Sequence, residues 1–159
     1  MKPCNLAITI GAGLWLTSLG ALADQTVFAL TDPGYRQECG SCHVPYPPQL
    51  LPAPSWQAVM SGLDKHFGVD ASLERPAQDA ILDYLVRNAG RREASAGGKP
   101  LLRITETRWF QHEHDELSAR VWTLPAVKSP ANCGACHTAA EKGDYAERSL
   151  RVPRAGGTP

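Results

Sequence analysis

The stretches "CGSCH", residues 39–43, and "CGACH", residues 133–137, determine how this 159-residue chain is interpreted. Both have the form C-x-x-C-H, the attachment signature of c-type haem. Two thiols at this spacing add to the two vinyl groups on one edge of a porphyrin, and the next residue then lies under the ring, where its imidazole reaches the iron. The doubled motif therefore predicts two covalently bound haems. The predicted attachment and proximal-ligand residues are Cys39 and Cys42 with His43, and Cys133 and Cys136 with His137.

Other uses of paired cysteines fit the sequence less well. A thioredoxin-like site places its C-x-x-C in a strand and helix context, and neither motif has one. A structural zinc site usually separates its two C-x-x-C halves by about 15–20 residues, whereas these begin at positions 39 and 133. Two haems are therefore favoured over a thiol oxidoreductase, a disulfide or a zinc site.

The N-terminal stretch "MKPCNLAITIGAGLWLTSLGALA", residues 1–23, has the pattern of a secretory signal peptide. Lys2 precedes an apolar run over residues 6–19, and Ala21 and Ala23 provide a small-x-small cleavage site. We therefore predict cleavage after Ala23 and export to the periplasm. A retained membrane anchor is less favoured because a spanning helix needs about 20 apolar residues. Cys4 precedes the apolar run and is expected to leave with the signal peptide.

The composition of the mature chain argues against binding to nucleic acid or to an anionic membrane surface. Removing residues 1–23 leaves 136 residues with 15 Lys and Arg, 16 in the full chain less Lys2, against 16 Asp and Glu, a formal charge of −1. The full chain contains 13 Pro and 14 Gly and is poor in large apolar residues. We therefore expect something other than side chains to fill part of the core.

The two motifs divide the mature chain into an N-terminal and a C-terminal half. Between them, "GRREASAGGKP", residues 90–100, is small, polar and rich in glycine, without apolar periodicity. We place a linker at 91–100, an N-terminal haem c domain at 24–90 and a C-terminal haem c domain at 101–159.

The N-terminal half is predicted to be mainly α-helical. A short helix from Tyr35 carries the first motif, and the five prolines of 44–54 exclude regular structure after it. A second helix starts with Ser55 as N-cap and is closed by Gly68, and a third starts with Pro76 in its first turn. One face of the second helix is predicted to carry Trp56, Val59, Leu63, His66 and Phe67.

The C-terminal half is predicted to be poor in regular structure. "LLRIT", residues 101–105, is expected to be extended, and Ser129 and Pro130 are expected to be the N-cap and first residue of a helix that bears the second motif.

Each haem iron has a sixth position, and few side chains are available to fill it. A Met ligand raises the potential, and an open position allows small-molecule binding. Met60 is the only methionine after residue 23, so at most one haem is His/Met. With two histidines proximal, the sixth ligands come from the three remaining histidines, and two bis-histidine haems are the economical solution. Those histidines are His66, His112 and His114.

His66 is a strong candidate ligand because it shares the apolar face of its predicted helix. An imidazole packed there leaves its ring nitrogens unsatisfied unless one of them binds iron. Met60, one position away from that face, is the alternative.

His112 and His114 lie two residues apart in "RWFQHEHDELSARVW", residues 108–122. On a helix they point about 200° apart, and in any conformation one iron takes only one of them. A zinc site that adds Glu113, Asp115 or Glu116 is conceivable, but it lacks a His-x-x-x-His spacing and leaves the second haem without a sixth ligand.

Three stretches together resemble the bacterial dihaem cytochrome c family known as DHC. They are "ECGSCHVPYPPQLLPAPSWQAVMSGLDKHFG", "LRITETRWFQHEHDE" and "AVKSPANCGACHTAAEKGDY". The resemblance covers nearly all of the mature chain, apart from the linker and the C-terminal tail. It implies a mainly α fold of two small c-type haem domains, the first similar to class I cytochromes c and the second largely irregular.

The resemblance also implies that both irons are bis-histidine. On the family pattern "KHFG" supplies His66 as the second ligand of haem 1, with His43, and "EHDE" supplies His114 as the second ligand of haem 2, with His137. His112 is not at the family's ligand position and is expected to be a surface residue.

The family implies an exported electron carrier without substrate chemistry of its own. Its expected acceptor is a small monohaem cytochrome c of the sphaeroides haem protein type, and a membrane b-type cytochrome is a plausible donor. The alternative is a dihaem enzyme, peroxidase-like or nitrite- or sulfur-oxidising, in which one iron keeps an open position.

Overall fold

A computed structural model describes residues 27–91 and 95–154 of the chain. The predicted signal peptide lies outside these residues, as do 92–94 within the predicted linker and the tail from 155 onward. The described part is mainly helical, as predicted. Its α-helices are α1 (Pro33–Cys39), α2 (Ala53–Ser61), α3 (Arg75–Arg87), α4 (Arg108–Glu113) and α5 (Ala119–Trp122). Its 3-10 helices are Pro48–Leu50, Leu63–Lys65, Ile104–Glu106, Cys133–Ala135, Ala140–Lys142 and Glu147–Ser149.

The main apolar core lies in the N-terminal half, where α3 packs against both α1 and α2. The side chain of Asp32 caps α1 by accepting a hydrogen bond from the Tyr35 amide at 2.7 Å. Pro76 lies in the first turn of α3, as the sequence predicts. The buried members of the core are Tyr35, Leu51, Trp56, Met60, Leu63, Ile81, Tyr84 and Leu85.

The second predicted helix differs from α2 at both ends. Ser55 is not its N-cap, because α2 begins at Ala53 and Pro54 stands in the first turn, a position that tolerates proline. Gly68 does not close it, because α2 ends at Ser61 and a 3-10 helix follows. Phe67 (φ 50°) and Gly68 (φ 101°) then form a tight turn, and Phe67 is 47 % exposed instead of lying on the buried face.

The predicted linker contains a small antiparallel hairpin that was not predicted from the sequence. Strand β1 (Ser95–Ala96) pairs with β2 (Lys99–Pro100) across Gly97 and Gly98. Both glycines have positive φ, which two-residue hairpin turns commonly require. The Gly-Gly pair was the signal available in the sequence.

The C-terminal half has short elements and scattered buried side chains. Residues 104–106 form a 3-10 turn where an extended piece was predicted. The Ser129 hydroxyl makes the predicted cap bond to the Ala131 amide at 3.1 Å, but only one turn forms, and the second motif continues in the 3-10 helix Cys133–Ala135. The larger buried apolar residues here are Phe110 and Val127.

The N-terminal and C-terminal halves contact each other at both ends of the predicted N-terminal domain. The Phe28 amide donates to the carbonyl of Gly143 at 2.8 Å, and the Phe28 ring packs edge-on against Tyr145. Gly143 has φ 77°, and a Cβ there would lie 2.0 Å from the Phe28 carbonyl oxygen, so this close approach needs glycine. Leu101 and Ile104, from beyond the linker, pack against the first core. The domain boundaries themselves stay a prediction.

Across residues 27–91 and 95–154, no helix has the length and apolar character to span a membrane.

Candidate haem sites

The first candidate site brings His43, after α1, close to His66, which ends the 3-10 helix Leu63–Lys65. Their ring centroids are 6.3 Å apart and the ring planes differ by 23°. His43 Nδ1 lies 2.8 Å from the carbonyl oxygen of Val44. If Nδ1 carries the proton and donates there, Nε2 keeps its lone pair and can bind a metal.

Aromatic side chains surround this pair. Tyr46 stacks on His43 with 4.6 Å between centroids, and Phe67 meets His66 edge-on at 4.8 Å. The Arg103 guanidinium lies over the Phe67 ring, 4.1 Å from its centroid. Burial, then His43 and Arg103, lower the pKa of His66, which favours the neutral ring that a metal ligand needs.

The second candidate site brings His114, at the C-terminal end of α4, close to His137 of the second motif. Their centroids are 6.2 Å apart and their planes differ by 78°. Thr107 caps α4 by accepting from the Phe110 amide, and His114 Nδ1 lies 2.8 Å from the Phe110 carbonyl. The capped helix thus fixes the His114 ring, which also stacks on Phe110 at 4.1 Å.

His137 is held by backbone hydrogen bonds on both sides. Its amide donates to the Cys133 carbonyl at 2.8 Å, and it forms a bridge with Leu150. Its Nδ1 is buried, and no group among residues 27–91 and 95–154 meets hydrogen-bond geometry with it. Burial and then His114 lower the pKa of His137, while the Tyr145 backbone acts in the opposite direction.

An open depression of about 300 Å³ lies beside His114. Polar and apolar groups line it in about equal measure, and the rings of Phe110 and Trp122 offer flat surfaces against which a macrocycle could pack. Its lining residues are Thr105, Phe110, Gln111, His114, Trp122 and Pro130.

The remaining two candidates lie in other surroundings, one on the surface and one in the first core. The His112 side chain is 81 % exposed, and its Nδ1 lies 3.7 Å from an Asp115 carboxylate oxygen. Met60 is buried in the first core. Within 27–91 and 95–154, no three His, Cys, Asp or Glu side chains are grouped so that they could hold a metal ion. The zinc alternative thus has no donor set in the part of the chain that is described.

Before haem is attached, none of the four motif cysteines is joined in a disulfide within the described residues. Burial raises the pKa of Cys39 to about 11 and that of Cys133 to about 11. Reactive thiols of oxidoreductases have a pKa below the ordinary value, so this environment argues against thiol exchange chemistry.

The aromatic residues that flank the histidines were not predicted from the sequence. Phe110 stands four residues before His114, a spacing that places two side chains together on a helix. Tyr46 follows His43 by three residues inside the proline-rich segment, where periodicity gives no signal. Trp122 and Tyr145 reach the second pair only through the tertiary fold.

Two C-x-x-C-H motifs, each with the ring of a second histidine close to the motif's own histidine, define a dihaem c-type cytochrome. The sequence profile of the dihaem cytochrome c (DHC) family matches residues 35–145, a span that includes both motifs. The chain belongs to the dihaem cytochrome c family. It carries two covalently bound c-type haems, and members of the family are generally electron carriers.

Solved structures of similar proteins support this assignment. A crystal structure of DHC purified from Rhodobacter sphaeroides is 46 % identical, covers 74 % of this chain and 100 % of its own, and has a TM-score of 0.65. A diheme cytochrome c from the same organism is 44 % identical, with coverage of 74 % and 99 % and a TM-score of 0.66. A diheme cytochrome type c from Shewanella baltica OS155 is 38 % identical, with coverage of 76 % and 92 % and a TM-score of 0.66. Among curated proteins, none is significantly similar to this chain.

Proposed function

We propose that the protein is a periplasmic electron carrier in which each iron is held between two histidines. His43 and His66 would bind the first iron, and His137 and His114 the second. The first haem would be attached through Cys39 and Cys42, and the second through Cys133 and Cys136.

The separation of the paired rings carries this proposal. A metal–imidazole bond is about 2 Å long and the ring centre lies about 1.1 Å beyond the nitrogen, so two imidazoles on opposite sides of one metal have centroids about 6.2 Å apart. The first pair has 6.3 Å and the second 6.2 Å. The pairs come from different elements in different halves, and both match the value for one shared metal.

The surroundings of each pair support closed, rigid sites. An iron with two imidazole ligands exchanges single electrons without gaining or losing a ligand. The protein's part is to hold the rings in place: the Phe110 carbonyl orients His114, and the Val44 carbonyl orients His43. Little movement then accompanies the change of charge, which suits outer-sphere electron transfer.

The division into two haem domains belongs to the same proposal. The N-terminal domain, 24–90, would be similar to class I cytochromes c, and the C-terminal domain, 101–159, would be largely irregular. The main cluster of buried apolar side chains spans residues 35–85, and this supports the asymmetry. The signal-peptide pattern of residues 1–23 supports a periplasmic location.

The proposed acceptor is a small monohaem c-type cytochrome of the sphaeroides haem protein type, and a membrane b-type cytochrome is the proposed donor. The propionates of two haems would add negative charge to a nearly neutral mature chain. A partner with a basic rim around its own haem edge would therefore be steered to it. Mixing the reduced protein with such a monohaem cytochrome, and following oxidation optically, tests the partner.

Carbon monoxide binding by the reduced holoprotein tests the carrier function. The protein as secreted, with both haems attached, is reduced fully and exposed to carbon monoxide. Two closed irons predict unchanged low-spin spectra, because no coordination position is open. Rapid formation of a carbonyl complex would contradict the proposal and favour the dihaem enzyme with an open haem.

A further inference from the structure

The segment that follows the first motif reaches across to the second motif. The Tyr46 hydroxyl donates a hydrogen bond of 2.6 Å to the carbonyl of Ala131, 85 residues away in sequence. Ala131 lies two residues before Cys133, and its carbonyl oxygen is 3.8 Å from the Cys133 sulfur. The neighbouring Val44 also approaches the second motif, since a Cβ at Gly134 would lie 3.4 Å from Val44 Cγ1.

The same tyrosine ring contacts the first site directly. It stacks on His43 with 4.6 Å between centroids and 18° between planes. The stacked face touches the proximal ligand of the first haem, and the hydroxyl touches the attachment segment of the second. One side chain thus spans the gap between the two sites.

Tyr46 is held rigidly by the first core. Its own carbonyl accepts a 2.5 Å hydrogen bond from the Tyr35 hydroxyl, and the Trp56 indole donates to the Pro48 carbonyl at 2.8 Å. The flanking Pro45 and Pro47 are buried and restrict the backbone.

We propose that Tyr46 is the positioning residue that couples the two haem sites. It fixes the second attachment segment relative to His43 and so sets the separation across which electrons pass. In each transfer one iron is oxidised and the other is reduced, while Tyr46 gains or loses neither an electron nor a proton. This inference rests on the proposed two-haem carrier.

The test compares Tyr46→Phe with a matched control, Tyr84→Phe. The first variant keeps the ring on His43 and loses only the bond to Ala131. The second makes the same change at another buried tyrosine, whose hydroxyl has no hydrogen-bond partner in the described part of the chain and which lies in α3. Both are nearly isosteric with the native protein, and circular dichroism with a haem assay verifies that each is folded and fully loaded.

Three readouts report on the relative position of the two sites, and none is a steady-state activity. In Tyr46→Phe, amide exchange at 131–133 should rise about five-fold, as expected for the loss of one ordinary hydrogen bond. Pulsed electron paramagnetic resonance should give a broader distribution of distances between the two oxidised irons, and electron exchange between the sites after rapid reduction should be slower. Tyr84→Phe should match the native protein in all three.

Equal distance distributions and transfer rates in the two variants would overturn the inference, even if both are slightly destabilised. Failure of the carrier proposal is seen separately, in the native protein, as an open or high-spin iron. A Tyr46→Leu variant extends the series by removing the ring from His43. It should slow electron transfer further than Tyr46→Phe does. A rate equal to that of Tyr46→Phe would restrict the role to the hydroxyl and contradict the part assigned to the stacked ring.

Discussion

The two histidine pairs have nearly the same separation but stand on differently built supports. His66 follows α2 and a 3-10 turn that rest on a core of eight buried side chains. His114 ends a six-residue helix, and its partner His137 lies among 3-10 turns and isolated bridges. The comparison teaches that the same separation between two histidine rings is reached once through core packing and once through local hydrogen bonds.

The difference in support predicts a difference in dependence on haem. The second half buries few large apolar side chains, so its haem would replace much of its missing core. The first half has a packed core beside its haem site. The following predictions test this contrast, from the largest expected effect to the smallest.

Removal of the second attachment should unfold more of the chain around it than removal of the first. In Cys133→Ser/Cys136→Ser, residues 101–154 should become sensitive to protease while α1, α2 and α3 stay protected. In Cys39→Ser/Cys42→Ser, the helices of the first core should stay better protected from protease than residues 101–154 are in the other variant. Limited proteolysis with mass spectrometry measures both, and a haem assay verifies the loss of one haem. Equal protection of the two halves in both variants would contradict the contrast.

Truncation of a ligand should open one iron and leave the other closed. His114→Ala should allow the reduced second haem to bind carbon monoxide, and His66→Ala should do the same at the first haem. His112→Ala is the matched control for His114→Ala, because its side chain is exposed and lies outside both pairs. Its spectra should stay low-spin, and carbonyl formation in His112→Ala but not in His114→Ala would reverse the assignment.

The contact between the N-terminal segment and the second half should be sensitive to a single methyl group. Gly143→Ala should lower the free energy of unfolding by about 2–4 kcal/mol, because the left-handed backbone is strained and the methyl meets the Phe28 carbonyl. Gly97→Ala is the control: it also has positive φ but open space around it, so about 1 kcal/mol is expected. Denaturant titration of the oxidised protein measures both, and equal losses would argue against the Phe28 contact.

The caps of α1 and α4 should contribute similarly to the free energy of unfolding, but only the cap of α4 should affect ligand binding at an iron. Asp32→Ala and Thr107→Ala should each cost about 1 kcal/mol in denaturant unfolding. Thr107→Ala should also make the second iron easier to open, because α4 positions His114 through Phe110. The rate of carbonyl formation by each reduced variant measures this. An increase in Asp32→Ala as large as that in Thr107→Ala would argue against a dependence of the second site on its cap.

Local signals in the sequence were sufficient for much of the first half. Pro76 predicted the start of α3, and the C-x-x-C-H motifs predicted two haems, which family membership confirms. Ser55 was misplaced as a cap because Pro54 allows α2 to start earlier. Phe67 was misplaced because a left-handed phenylalanine is costly and no helical pattern predicts it.

The structure of the second half could not be predicted from local signals, because it depends on contacts between residues far apart in sequence. Ser129 makes its cap bond, yet the helix stops after one turn, and residues near 150 pair with His137 instead. The Tyr46 bond to Ala131 joins residues 85 positions apart, beyond the reach of any periodicity. The choice of His114 over His112 came from the family resemblance, and the ligand assignments stay predictions.

The ring planes make the central claim directly measurable. In a low-spin ferric haem, nearly parallel imidazoles split the iron orbitals and give a rhombic resonance, whereas nearly perpendicular imidazoles give a single, strongly anisotropic one. The first pair is 23° from parallel and the second is at 78°. Electron paramagnetic resonance of the oxidised holoprotein should therefore show one low-spin signal of each kind, and His66→Ala should remove the rhombic one. A high-spin signal in the native protein would contradict two irons that are each closed by two histidines.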